Sequence, residues 1–190
     1  AFIQFMLKRV DRSKKLYLIG HSHGGLLVLR YVINQPEGID GIALSAPFLG
    51  FKIKVAAWKA LLGRAMSRFW PTLSLPSEIP PEHVSHDPEI IAAYSSDPLN
   101  HDVATSRWFT EVTQTQDEVL SQANQISLPI LVMQGTDDFI VEPECAQTLI
   151  DNVNSSDKEL IWYDGLYHEL FNELERESVF SDLDAWLKKH

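Results

Sequence analysis

A chain of 190 residues that is 45% hydrophobic can bury one real core, and its formal net charge of −10 argues against nucleic acid or an anionic membrane surface as the main partner. The single cysteine, Cys145, excludes an internal disulfide, and no apolar run approaches the length that crosses a bilayer, so no stable membrane insertion is expected. The balance reads as a cytoplasmic protein with a solvated acidic surface, limited to transient contact with a membrane surface.

Residues 2–10 place Phe2, Phe5, Met6 and Val10 at helical spacing, which predicts a helix; this opening lacks the basic start and small-residue cleavage site of a signal peptide. After a polar turn, Leu16–Ile19 reads as a short buried strand, followed by a helix from Ser22 to about Asn34. Gly41–Ser45 reads as a second buried strand, closed by Ala46-Pro47. From Phe48 to about Ile126 no strand pattern is visible. Helical patches over Lys54–Phe69, Pro88–Tyr94 and Ala104–Asn124 alternate there with joints at Pro71, Pro76, Pro80-Pro81 and Pro98. A third strand over Pro129–Gly135, a helix over Glu142–Val153, a strand over Glu159–Tyr163 and a helix over Ser178–Lys188 complete the chain. This order predicts an α/β fold with a parallel sheet, its core formed by residues 1–47 and 127–190 and interrupted by a helical insertion over 48–126.

The chemistry gathers at the carboxyl ends of the strands, as it does in open parallel sheets. The first strand runs directly into Gly20-His21-Ser22-His23-Gly24-Gly25, a Gly-x-Ser-x-Gly turn that would hold Ser22 in a strained conformation with its Oγ above the sheet. Gly20 and Gly24 are expected there because side chains would collide across so tight a bend. The helix behind the turn aims its first N–H groups, that of His23 included, where a developing negative charge would sit. Asp137 and Asp138 follow the third strand, and His168, in Asp164-Gly165-Leu166-Tyr167-His168-Glu169, follows the fourth. Either aspartate could hold an imidazole in its working tautomer. His21 and His23 bracket the serine, but their side chains should diverge around the turn and no third ligand is evident, so no metal and no other cofactor is expected. Cys145 reads as a small buried residue of a helix rather than a nucleophile.

Nucleophile, acid and base in the order Ser, Asp, His follow the chain order of the α/β-hydrolases. Gly20–Gly25, Leu128–Asp138, Tyr163–Glu169 and Tyr94-Ser95-Ser96-Asp97-Pro98-Leu99 resemble the monoacylglycerol lipase and lysophospholipase-like branch of that superfamily, also grouped with the serine aminopeptidase-type hydrolases. The resemblance implies an α/β-hydrolase fold with a helical cap, and it selects Asp138 over Asp137 as the acid. His23 stands where the family usually has methionine. The resemblance covers nearly the whole chain from Leu16 on, and nothing matches the His-Gly loop that supplies half of the oxyanion hole in complete family members. The chain thus looks like the C-terminal two-thirds of such an enzyme, a partial fold.

The implied reaction is hydrolysis of a small acyl ester of monoacylglycerol or lysophospholipid type through an acyl-enzyme, with Ser22 as nucleophile, His168 as base and the His23 N–H as an oxyanion donor. Phe48, Leu49, Trp58, Trp70 and Trp108 of the aromatic insertion are the expected acyl-binding residues. A catalytically impaired fragment or non-catalytic partner protein is the competing expectation, and a peptidase or thioesterase the competing enzyme class. Leu16–Ile19 is expected at an exposed edge of the sheet, open to pairing with a second copy or with an N-terminal part.

Overall fold

The computed structural model describes residues 2–11, 13–52, 57–76, 79–101 and 103–190. Its centre is a four-stranded parallel sheet of β1 (Tyr17–His21), β2 (Gly41–Ser45), β5 (Ile130–Gly135) and β6 (Lys158–Tyr163), in the order β1-β2-β5-β6. The strand residues alternate between two apolar layers, as the pleat requires. Ile42, Leu44, Ile130 and Val132 face a cluster completed by Leu26, Leu29 and Val32 of α2 (His23–Asn34), Val112 and Val119 of α5 (Ser106–Ser121), and Ala146 and Leu149 of α6 (Glu144–Asn152). Ala43, Leu131 and Met133 face the other way, onto Val179, Leu183 and Trp186 of α7 (Arg176–Lys189). Every residue of β2 and β5 is buried, which is why both read in the sequence as unbroken apolar runs. The expected α/β sheet flanked by helices is therefore present.

β1 forms one edge of the sheet, and Ile19 there is half exposed. α1 (Phe2–Leu7) is shorter than expected, with Phe2, Phe5 and Met6 exposed and only Leu7 buried in the core. Among the described residues, no helix is long and apolar enough to cross a membrane.

The segment 48–126 corrects two expectations. It contains strands, since β3 (Ser74–Pro76) pairs antiparallel with β4 (Val103–Thr105), apart from the central sheet. Three-residue strands are too short to print an alternating pattern, and Pro76 is tolerated because a two-stranded ribbon is all edge. The helix expected to begin at Ala104 instead begins at Ser106, after Thr105, whose side chain accepts the Trp108 N–H as an N-cap. α3 (Ala57–Phe69) and α4 (Pro88–Ser96) complete the segment, the latter capped by Asp87 with Pro88 in its first turn. α5 buries Val112 and Val119 in the sheet's own core, so the last part of segment 48–126 packs on the sheet itself.

Candidate active site

Ser22 follows β1 with φ 50° and ψ −121°, a region that costs a non-glycine residue about 1–3 kcal/mol. The strain is held by bonds on both sides. Its N–H donates to the Ser45 carbonyl at 2.9 Å, and its own carbonyl accepts from Gly25 (2.9 Å) and Phe48 (3.0 Å). A Cβ on Gly20 would lie 2.8 Å from both the Gly24 carbonyl oxygen and the Gly25 Cα, as the tight bend implied. Gly24 corrects that expectation, since a Cβ there meets nothing within 4 Å among the described residues, whereas one on Gly25 would meet Pro47 at 3.0 Å. The close approach is therefore between the turn and the Ala46-Pro47 corner.

A serine at the N-cap of a helix ordinarily bonds an N–H of the first turn. Ser22 makes no such bond to α2; its Oγ lies 2.9 Å from His168 Nε2. His168 is 4% exposed, on a loop that turns at Gly165 (φ 75°) and is tied to the end of β5 by the Gly165 N–H on Thr136 Oγ1 (2.8 Å) and the Asp137 N–H on the Leu166 carbonyl (3.2 Å). Gly135 permits this approach, because a Cβ there would overlap the Leu166 carbonyl and lie 2.7 Å from that of Tyr167.

The other ring nitrogen, Nδ1, lies 2.8 Å from Asp138 Oδ2. Asp138 is 1% exposed. Its Oδ1 accepts the N–H groups of Ile140 (2.8 Å) and Val141 (2.9 Å), and its Oδ2 also accepts from Gln134 Nε2 at 3.2 Å. A carboxylate offers only acceptors, so the Nδ1 proton belongs on the bond to Asp138 and Nε2 is left to accept the Ser22 hydroxyl. Asp137 is exposed, with its carboxylate on the Thr136 hydroxyl at 3.2 Å. The arrangement can thus pass a proton from Ser22 Oγ to an imidazole whose positive form is stabilised by a buried carboxylate.

His23 opens α2, where the first N–H groups have no intrahelical acceptor. Its ring lies 5.9 Å from that of Trp108, and partial burial holds its pKa below the ordinary value. Because the unfolded chain then binds the proton more readily than the folded one, stability attributable to this site is lost as pH falls through the unfolded pKa of about 6.5. His23→Met is accordingly expected to lose less thermal stability than the parent chain between about pH 7 and pH 5, measured by paired melts.

Of the five expected acyl-binding residues, the structure brings two against the serine turn. Trp108 faces His23 and stacks on Phe48 at 6.2 Å, and Phe48 reaches Ser22 through its N–H. Phe48 and Leu49 are themselves buried in the sheet's core, so each is a packing residue first. Trp70, just past the end of α3, is 57% exposed. Trp58 lies in α3, but its side chain is outside the described residues.

Four polar residues beside the site, His21, Ser45, Glu169 and Glu173, make bonds that no local sequence pattern announces. His21 Nδ1 lies 3.2 Å from Ser45 Oγ and its Nε2 3.1 Å from Glu169 Oε1, joining the residue before Ser22 to the residue after His168. Burial works to raise the Glu169 pKa, but the bond from His21, with electrostatic attraction to the His21 and His168 rings and the bond from the Asn172 amide, outweighs it and holds the carboxyl below its ordinary range. Ser45 is fully buried. Glu173, also fully buried, receives the Tyr167 N–H at 2.8 Å. His21 and His23 therefore turn to different partners, as the bend implied.

The family model described as serine aminopeptidase, S33, matches residues 1–175. A phospholipase of Bacillus subtilis, YtpA, is 32% identical over 177 residues, 92% of this chain and 68% of the relative. The monoacylglycerol lipase of Mycolicibacterium smegmatis is 29% identical over 91% of this chain, which spans 62% of that relative. The crystal structure of Paleococcus ferrophilus monoacylglycerol lipase superposes with a TM-score of 0.90 at 30% identity, over 98% of this chain and 72% of that one.

Proposed function

The chain belongs to the serine aminopeptidase S33 family, and from that premise we propose that it hydrolyses carboxylic esters of monoacylglycerol or lysophospholipid type through an acyl-serine intermediate. The observation that carries the reading is the hydrogen-bonded series from Asp138 through His168 to Ser22 Oγ, with that Oγ withheld from capping its own helix.

In this mechanism His168 Nε2 takes the Ser22 proton as Oγ attacks the acyl carbonyl, and Asp138 stabilises the imidazolium. The carbonyl oxygen turns toward the start of α2, where the His23 N–H is one donor; an oxyanion donor is worth on the order of 100- to 1000-fold in turnover. His168 then gives its proton to the leaving alcohol, and a water activated by the same imidazole releases the acid and restores Ser22. The choice of a lipid ester rests on the relatives named phospholipase and monoacylglycerol lipase and on the aromatic wall that begins beside the serine with His23, Trp108 and Phe48.

The test is a comparison of monoacylglycerol, lysophospholipid and p-nitrophenyl esters with aminoacyl amides. Cleavage of the amides without the esters would overturn the reading. Within the esters, Trp108→Ala is expected to cut kcat/KM on a dodecanoate about tenfold more than on an acetate, because the long chain covers more of the wall and exchanges more apolar area with it. Equal losses on both esters would assign Trp108 to packing alone.

A further inference from the structure

His168 is held from both sides by one short segment of the insertion. On one side the Glu169 N–H donates to the Val84 carbonyl at 2.9 Å. On the other the link runs through Glu173, whose carboxylate is fully buried and divided between two stretches of chain. Its Oε1 accepts the N–H of Tyr167, the residue before His168, at 2.8 Å, and lies 3.1 Å from His86 Nδ1. Its Oε2 accepts the His86 N–H at 2.9 Å and lies 3.3 Å from the Ser85 hydroxyl. The single Ser85 hydroxyl proton is shared between that oxygen and the closer Asn172 carbonyl at 2.9 Å, and the His86 and Tyr167 rings are 3.7 Å apart.

Such a site needs a carboxylate. The two backbone N–H groups are donors on opposite arms of the side chain, and only a group with acceptors on both arms satisfies them at once. Hydrogen bonds to an ionised acceptor are also the stronger kind, and an unmet buried donor costs about 1–3 kcal/mol. Glu173 takes no part in the series that ends at Ser22, so the proton transfer itself does not account for it.

We infer that Glu173 is a positioning residue for His168: one buried carboxylate fixes the backbone ahead of the base and locks it to segment 84–86 of the insertion. The inference rests on the role proposed for His168. A shift of the insertion at Ser85 and His86 is then transmitted through Glu173 to the Tyr167 peptide and displaces the imidazole relative to Ser22 Oγ. Misplacement of a reacting group by ~1 Å can cost ~100-fold in rate.

The experiment compares the 190-residue chain with Glu173→Gln, Ser85→Ala and the double variant. It reads kcat and KM on a short p-nitrophenyl ester and, without any turnover, the low-field proton resonance of the His168 Nδ1–H bonded to Asp138. Glutamine keeps the shape but sets an NH2 against one of the two N–H donors. Glu173→Gln is expected to lower kcat ~10- to 100-fold with KM changed by less than about threefold, and to shift or broaden the His168 resonance. Ser85→Ala should show the same signature more weakly and add nothing further in the Glu173→Gln background, since both changes break one network. A folded Glu173→Gln variant with parental kcat and an unaltered resonance overturns the inference. Should Glu173→Gln not fold, Ser85→Ala decides: unchanged kcat and resonance overturn the inference, and a shifted resonance supports it. If the parent chain turns over no ester, the proposed function fails while the resonance still decides the role of Glu173.

Discussion

Ser22→Ala should lower ester turnover by on the order of 10⁴- to 10⁶-fold and abolish labelling by a fluorophosphonate probe, while leaving the fold intact. The size of the loss follows from the absence of a substitute beside His168 among the described residues. Ser45, the other serine near the turn, is fully buried with its hydroxyl on His21, so it offers no accessible nucleophile beside the base. The lack of structural damage follows from the same geometry. The Ser22 side chain makes no capping bond to α2, and alanine at φ 50° is neither more nor less strained than serine, since both carry a Cβ. The side-chain bond that is lost is the one to His168 Nε2, so the variant should stay folded, with a change in stability within about 1.5 kcal/mol. Mass spectrometry of the probe adduct gives the assignment directly. An adduct that survives in Ser22→Ala, or that maps to Ser45, would remove Ser22 from the mechanism.

The parts of the site that were legible in the sequence are those fixed by strand ends. β2 and β5 are buried on both faces, so their apolar runs mark a parallel sheet; Ser22 is legible from the Gly-x-Ser-x-Gly turn that follows β1, and His168 from its place in the loop after β6. The choice between Asp137 and Asp138 was not accessible this way, because two adjacent loop aspartates look alike until the backbone turns. The turn exposes Asp137 and aims Asp138 at the ring, together with the N–H groups of Ile140 and Val141; only the family resemblance had separated them. Segment 48–126 is less legible, in proportion to its irregularity. Aromatic side chains carry no label for pocket or core, since Phe48 is buried in the core and also stacks on Trp108 beside the serine turn, while three-residue strands leave no periodic trace. Glu173 and the pair of His21 with Glu169 had no signal either. A buried carboxylate is recognised by its donors, which arrive from residues 85 and 86 and from residue 167, and no local pattern announces that meeting. Glycines divide in the same way: Gly20 was explained by the bend itself, but the tightness at Gly25 depends on Pro47, a residue of the next strand's corner.

The second large effect is expected at Asp138, where Asp138→Asn should cost on the order of 10⁴-fold in kcat with little change in KM, through the tautomer of His168 rather than through loss of structure. The environment dictates which way the amide must face. Asp138 Oδ1 accepts two backbone N–H groups, from Ile140 and Val141, and reversing the amide would set an NH2 against both donors, at roughly 1–3 kcal/mol for each buried group left unmet. The asparagine oxygen is thus held on the backbone side. Its NH2 then occupies the place of Oδ2, facing His168 Nδ1 and the Gln134 amide nitrogen. A donor at that point makes Nδ1 the acceptor and moves the ring proton to Nε2, so Nε2 faces Ser22 Oγ as a donor and cannot take the hydroxyl proton. Binding of the ester is untouched, which is why kcat falls and KM does not. Asp137→Asn is the control: its carboxylate is exposed and lies on the Thr136 hydroxyl, and its turnover should stay within about threefold of the parent. The two variants, assayed side by side on one p-nitrophenyl ester, separate the roles. Parental turnover in Asp138→Asn, or a large loss in Asp137→Asn, would show that the acid had been assigned to the wrong neighbour.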